Sequence, residues 1–343
     1  MDEYLEGIRA EWRKRHADTA FELETLYFGG GTPSKLGAEG VTRLMALVSE
    51  NATLRTDAEV TLEANPEDVS PVAARAWRRA GINRVSLGVQ SFDDHLLAWM
   101  HRTHTAKQAT DAIRALHDAG IANVSIDIIF GTPHHVPRNW ASELDLALDM
   151  DVSHVSVYGL TVEPHTPLGR WVARADVTEA PEESFEDEFL AADAALTAAG
   201  FDHYEVSNYG KSGLHSRHNW SYWRRAPYGG LGPSAHEFDG THRRWNVAPY
   251  AGWLERTVRG ESTRHGEEVL DDAAVQSEEL YLSLRTSAGV LITSEEREDI
   301  GAWVEAGWGT ISDDGRLRLT PRGWLRLDAL ANHLTLLRSR SYI

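Results

Sequence analysis

The run Thr25-Leu26-Tyr27-Phe28-Gly29-Gly30-Gly31-Thr32-Pro33 decides the fold. A short apolar segment stops in three glycines and a proline, as a strand does when it enters a tight loop. The pattern recurs along the chain. Val60-Thr61-Leu62-Glu63 reads as a second strand and Arg84-Val85-Ser86-Leu87-Gly88-Val89 as a third. Asn123-Val124-Ser125-Ile126-Asp127-Ile128-Ile129-Phe130, closed by Gly131-Thr132-Pro133, is a fourth, and His154-Val155-Ser156-Val157-Tyr158 a fifth. Helical periodicity fills 38–50, 70–80, 93–100, 106–119 and 138–150. A further apolar stripe, Tyr4, Leu5, Ile8 and Trp12, sits at helical spacing in 2–15. Strict alternation of strand and helix predicts a parallel α/β sheet or barrel.

Polar residues gather at the C-terminal ends of these strands: Gly30 and Thr32, Glu63 and Asn65, Gln90, Asp127, Thr161 and Glu163. Catalytic and ligand-binding groups of β/α barrels collect at that rim. Turn chemistry accounts for the glycines and prolines there, but not for an inward Glu, Gln and Asp on successive strands. The glycine run lets main-chain groups approach a ligand closely; as a lone motif it equally describes a tight turn. It is not a dinucleotide fingerprint, because G-x-G-x-x-G is absent.

The pattern changes past residue 183. A helix over 183–199 ends at Gly200 and leads into a segment rich in aromatics and His. A break near 262–272 precedes helix, helix, a hairpin around Asp313-Asp314-Gly315 flanked by Ile311 and Leu317, and a last helix. That order suggests a winged helix. The expected organisation is a partial barrel over 1–180, an α/β elaboration over 181–265 and a winged-helix-like domain over 266–343.

The formal net charge is −18, and 270–343 carries 8 Arg against 12 Asp plus Glu, a net of −4. Basic footprints of nucleic-acid-binding domains look different, so no nucleic-acid partner is expected. No apolar run approaches the roughly 18 residues of a membrane span, and the charged, amphipathic N-terminus is neither a signal nor a transit peptide. The expected location is the cytoplasm. The chain has no cysteine, which excludes disulfides and any cysteine-ligated iron–sulfur cluster within it.

Nine motifs in order carry a resemblance: GGGTPS (29–34), TLEANPE (61–67), RVSLGVQSF (84–92), HRTH (101–104), SIDIIFGTP (125–133), YGLTVEPHT (158–166), YEVSNY (204–209), SRHNWSYW (216–223) and YGGLGPSAH (228–236). Over essentially its whole length the chain resembles the oxygen-independent coproporphyrinogen III oxidase-like family of radical S-adenosylmethionine (SAM) proteins, and within it the heme-chaperone branch. The resemblance implies a partial, open β/α barrel of radical SAM type that lacks the family's first strand, followed by a small C-terminal winged-helix-like domain. It implies that Gly30, Gly31 and Thr32 line the methionine end of SAM, that Glu63 holds its amino or ribose groups, and that Gln90, Arg102 and Asp127 complete the nucleoside side. Carboxylates and an arginine suit a zwitterionic sulfonium ligand. A mutual or helix-terminal salt bridge is the alternative for Arg102 and Asp127.

The family's C-x-x-x-C-x-x-C loop, whose thiolates hold a 4Fe-4S cluster, has no counterpart here. This chain is therefore not expected to form the deoxyadenosyl radical, and its affinity for SAM is expected to be weakened. The resemblance places a strand and the cysteine loop ahead of Met1, so a longer native chain is one expectation and a cluster-free pseudoenzyme scaffold another. No catalytic residue is assigned.

In the chaperone branch the motif H-N-x-x-Y-W, here His218, Asn219, Tyr222 and Trp223, is associated with heme binding. Imidazole is a natural axial ligand and aromatic side chains pack on a porphyrin face. His215 and His236 are alternative ligands. His101 and His104, three residues apart, have no evident third metal ligand and are expected on a helix surface. The function the resemblance implies is heme (porphyrin) binding and delivery to a heme-accepting protein, in a possible homodimer. Radical SAM decarboxylation of coproporphyrinogen III is the alternative for a longer chain.

Overall fold

Each apolar run that ends in glycine or proline forms a strand in the structure, a computed structural model that describes residues 1–16 and 20–340. In chain order the first elements are α1 (Asp2–His16), β1 (Phe21–Phe28), α2 (Gly37–Asn51), β2 (Ala52–Ala64), α3 (Pro71–Ala80), β3 (Arg84–Gln90), α4 (Asp94–Trp99), α5 (Ala106–Asp118), β4 (Asn123–Phe130), α6 (Trp140–Asp149) and β5 (His154–Gly159). They are followed by α7 (Pro167–Ala173), α8 (Glu182–Ala198), β6 (Asp202–Glu205), β7 (Asn208–Gly210), α9 (Arg217–Trp223), β8 (His236–Phe238), β9 (His242–Asn246), α10 (Tyr250–Val258) and β10 (Arg264–Val269). The chain closes with α11 (Asp272–Leu284), β11 (Val290–Leu291), α12 (Ser294–Asp299), α13 (Gly301–Glu305), β12 (Gly309–Ile311), β13 (Arg316–Leu319), α14 (Pro321–Trp324) and α15 (Leu327–Arg340).

The chain builds an α/β fold, an open, partial β/α barrel, in two compact units. The first comprises Met1–Val85, Ala115–Ala122 and Ser216–Glu279, and the second comprises Ser86–Arg114, Asn123–His215 and the chain from Leu280 onward.

In the first unit β1 and β2 pair in parallel, with Thr25 opposite Glu59 and Tyr27 opposite Thr61. Both strands are longer than their apolar runs. β1 begins at Phe21 and β2 at Ala52, where the two pair, and their early halves alternate apolar with charged residues, as a half-exposed pair does. The helix between β2 and β3 has sharp ends. Ser70 caps α3 by accepting from the Ala73 N–H, and Pro71 starts it. Gly81, in the left-handed region at φ 108°, stops it.

Helix α1 buries Leu5, Ile8 and Trp12, as its stripe predicts, and with them one charge. The Glu11 carboxylate accepts from Arg15 Nη1 (2.7 Å), Asn246 Nδ2 (2.6 Å), Thr263 Oγ1 (2.8 Å), the Gly232 N–H (2.9 Å) and Trp253 Nε1 (2.9 Å). Four of these donors lie outside α1 and tie it to α10 and to the antiparallel sheet β8-β9-β10 and its flanking loops. A buried carboxylate so surrounded has its hydrogen-bonding capacity met.

The second unit, which takes β3 from Ser86 onward, orders its strands β3-β4-β5-β7-β6. β4 and β5 are parallel, whereas β7 runs antiparallel to both β5 and β6. Its C-terminal part pairs Ile311 with Leu317 in the expected hairpin and adds β11, giving the order β11-β13-β12. Leu284, Ile300, Leu317 and Leu334 are fully buried at its centre, with Trp303 and Trp324 around them.

Among the described residues no helix is long and apolar enough to cross a membrane.

Candidate functional site

The His-aromatic motif forms α9, a helix of seven residues in the first unit. Ser216 caps it by accepting from the Asn219 N–H at 3.2 Å. β2 supplies a second cap: Glu59 accepts the backbone N–H groups of Arg217 and His218, each at 3.0 Å. Three orphan donors at the helix start are thus met by a hydroxyl and a carboxylate, and the carboxylate also complements the positive end of the helix. No residue of α9 is fully buried, which leaves its aromatic side chains a partly open face.

His218 sits among groups from three elements. Its Nδ1 lies 2.8 Å from Thr25 Oγ1 on β1 and its Nε2 2.9 Å from the Tyr222 hydroxyl one turn along α9. Tyr27 of β1 stacks on the imidazole, with centroids 4.7 Å apart and planes 8° apart. Burial, aided by the positive charge of Arg84, pushes the His218 pKa down to about 4. The ring is neutral at pH 7, the state in which imidazole coordinates a metal. Burial, with the Tyr228 and Glu63 charges, raises Tyr222 to about 12, so its hydroxyl stays protonated. Tyr228 packs edge-on against Tyr222 at 4.8 Å, and the Arg224 guanidinium lies over Trp220.

The expected SAM residues divide between the units. Gly30, Gly31, Thr32 and Glu63 belong to the first, and Gln90, Arg102 and Asp127 to the second. In the first unit Gly30 takes φ 77°, and a Cβ at Gly30 or Gly31 would meet nothing within 4 Å. These two residues therefore offer bare backbone to a ligand. Gly29 serves a different purpose, because a Cβ there would lie 2.3 Å from the Tyr27 ring and 2.9 Å from the Glu63 carboxyl. That space is needed for the Tyr27 hydroxyl to donate to Glu63 Oε1 at 2.5 Å. Ser34 Oγ donates to Asp68 Oδ2 (2.7 Å) and accepts from the Asn65 N–H (3.2 Å), joining the loops that follow β1 and β2.

In the second unit Gln90 ends β3 at φ 67°, a conformation uncommon outside glycine. Ser86 Oγ lies 3.3 Å from Asp127 Oδ1. His104 departs from expectation. It lies between α4 and α5 rather than on a helix surface, and it is buried with Nε2 3.0 Å from the Val89 carbonyl. Of the alternative heme ligands, His215 pairs with Asp202 and stacks on Tyr204, while His236 is exposed on β8.

A 4Fe-4S cluster does not fit these residues. The chain has no cysteine, and among the described residues no cluster of three His, Asp or Glu is placed to hold a metal ion.

The radical SAM superfamily model matches residues 10–176. The heme chaperone HemW of Mycobacterium tuberculosis is 36% identical over 337 residues, which is 97% of this chain and 86% of that protein. The chain belongs to the heme chaperone branch of the radical SAM superfamily. HemW of Synechocystis is 38% identical over 84% of this chain and 71% of its own length, and HemW of Bacillus subtilis 33% identical over 84% and 77%. Among solved structures, the Escherichia coli coproporphyrinogen III oxidase HemN, a radical SAM enzyme, superposes with a TM-score of 0.80. The match covers 96% of this chain and 82% of that one at 19% identity, a likeness of fold. Membership gives this heme chaperone relative a heme-related role.

Thr25, Glu59 and Arg84 were not singled out as site residues by sequence reasoning. They lie on β1, β2 and β3, and the period-two rule marks their companions: Thr25, Tyr27 and Gly29 share one face, as do Glu59, Thr61 and Glu63. Polar residues at alternate positions of barrel strands are the signal that would have found them.

Proposed function

We propose that this protein binds heme at α9, with His218 as the axial ligand, and passes it to a heme-accepting protein. The observation that carries the reading is the His218 ring: neutral, stacked on Tyr27 and hydrogen-bonded at both nitrogens. Metal-bound imidazole keeps one nitrogen for the iron and anchors the other on a polar partner. Thr25 is that anchor at Nδ1, on a strand that cannot move with α9. Tyr222 occupies Nε2 in the absence of heme, and its hydroxyl swings aside as iron takes the lone pair. Asn219 and Trp223 belong to the same short helix.

The first unit suits the methionine end of SAM, with bare backbone at Gly30 and Gly31 and a Glu63 carboxylate for the ligand's ammonium group. Thr32 lies beside them, and Gln90, Arg102 and Asp127 remain the candidates for the nucleoside side. SAM supplies a cationic sulfonium when bound. No radical step is assigned, since the cluster that would start one does not fit.

The test is a heme titration followed in the Soret band, for the wild type and for His218→Ala. A saturable shift in the wild type and its loss in a folded His218→Ala supports the assignment. Undiminished binding by the variant refutes it.

A further inference from the structure

Arg84 is a buried cation with no ion pair among the described residues. The residue is 2% exposed and its Nε makes no hydrogen bond. Among the described residues the guanidinium has no carboxylate partner. Thr61, on the neighbouring strand, repeats the pattern: it is fully buried and its Oγ1 has no hydrogen-bond partner. An isolated buried charge and an unmet hydroxyl are both destabilising, and folded proteins keep few of either.

The two residues lie on neighbouring strands that Asn83 aligns, and the charge of Arg84 reaches His218. Asn83, just before Arg84, donates its backbone N–H to the Val60 carbonyl (3.1 Å), accepts from the Val60 N–H through Oδ1 (2.8 Å) and donates from Nδ2 to the Ala58 carbonyl (2.7 Å). This clamp fixes the start of β3 against β2 one residue short of Thr61. On its other side Thr61 stands opposite Tyr27, the ring that stacks on His218. Glu59, two residues before Thr61 on the same face, is committed to the N–H groups of α9.

We propose that Arg84 and the Thr61 hydroxyl form a receptor for a carboxylate group, filled by a propionate of the tetrapyrrole that His218 ligates. Guanidinium is a planar donor fork that matches a carboxylate with two parallel hydrogen bonds, and the hydroxyl adds a third donor. The carboxylate receptor stands on the geometry of β2 and β3 alone. Its assignment to a heme propionate rests on the reading of His218 given above.

Two measurements on the full chain test it. The first is thermal unfolding without heme, in sodium propionate and in sodium chloride at matched ionic strength, for the wild type, Arg84→Met and Thr61→Val. The expected result is a saturable rise in melting temperature with propionate over chloride in the wild type, abolished in Arg84→Met and reduced in Thr61→Val. Without ligand, Arg84→Met should melt no lower than the wild type. A propionate response that is absent from the wild type or survives in Arg84→Met overturns the receptor. The second compares heme with its dimethyl ester. The wild type should favour the free acid by about tenfold or more, the worth of a charge-assisted hydrogen bond, and Arg84→Met should bind both alike. Equal discrimination by wild type and variant, with the propionate response intact, overturns the propionate assignment and leaves a receptor for a free carboxylate. Heme binding unaffected by His218→Ala would sink the axial-ligand reading but not the propionate response.

Discussion

Glu11 and Arg84 are both buried charges of the first unit, and the fold treats them in opposite ways. Glu11 meets five donors drawn from α1, α10, the β8-β9-β10 region and the loops between. Among the described residues Arg84 meets no carboxylate, and its Nε makes no hydrogen bond. A charge ringed by donors is a fastening: it fixes where α1 lies and is used up in doing so. A charge left bare at the side of a neutral histidine is unspent, and its natural complement is a ligand. The contrast separates the part of the unit that holds the fold from the part that awaits cargo.

The largest effect should come from breaking the fastening. Glu11→Ala strands the buried Gly232 N–H, Trp253 Nε1 and Thr263 Oγ1, and removing one partner of a buried charged network costs about 3–5 kcal/mol. Denaturant unfolding should show that loss, against little or none for Arg84→Met. Equal losses for the two variants would erase the contrast.

Next comes the pH dependence of the His218 site. The folded ring titrates near 4 and an unfolded histidine near 6.5. Below pH 6.5 the unfolded chain takes up a proton that the folded one refuses. Stability is therefore full above 6.5, falls as the pH drops to about 4 and loses nothing further below that. Two and a half units correspond to about 3 kcal/mol at most. Urea unfolding of the wild type and His218→Phe across this range should show the slope in the wild type and a shallower one in the variant. Parallel curves would mean that the ring is not held neutral by the fold.

The smallest effects distinguish the two partners of His218. Thr25→Val removes the anchor at Nδ1 and should weaken heme binding about tenfold. Tyr222→Phe removes the competitor at Nε2 and should strengthen binding several-fold, about the worth of one neutral hydrogen bond. Weaker heme binding by Tyr222→Phe would make that hydroxyl a ligand or a support rather than a gate.

Much of this fold could be read in advance because its signals are local. A strand ending in Gly29, Pro66 or Gly131 announces itself within ten residues, as does a helix capped by Ser70 and stopped by Gly81. The hairpin at Asp313-Asp314-Gly315 was equally plain. The early halves of β1 and β2 escaped notice because their charged residues face solvent, and alternation interrupted by Arg55 and Asp57 carries little apolar signal. His104 was misplaced because burial of a polar ring depends on what closes over it. The site was legible in its motif but not in its supports. Thr25 and His218 are 193 residues apart in sequence, and Glu59 lies 158 and 159 residues from the two N–H groups it caps. Only the folded unit brings such partners together.

The most direct test of the central claim is the Soret spectrum of heme added to His218→Gly, recorded with and without imidazole. The account predicts that the variant alone loses the wild-type band and that imidazole, entering the vacated space between Thr25 and Tyr222, restores it. A His218→Gly protein that shows the wild-type band without imidazole would contradict the assignment of His218 as the heme ligand.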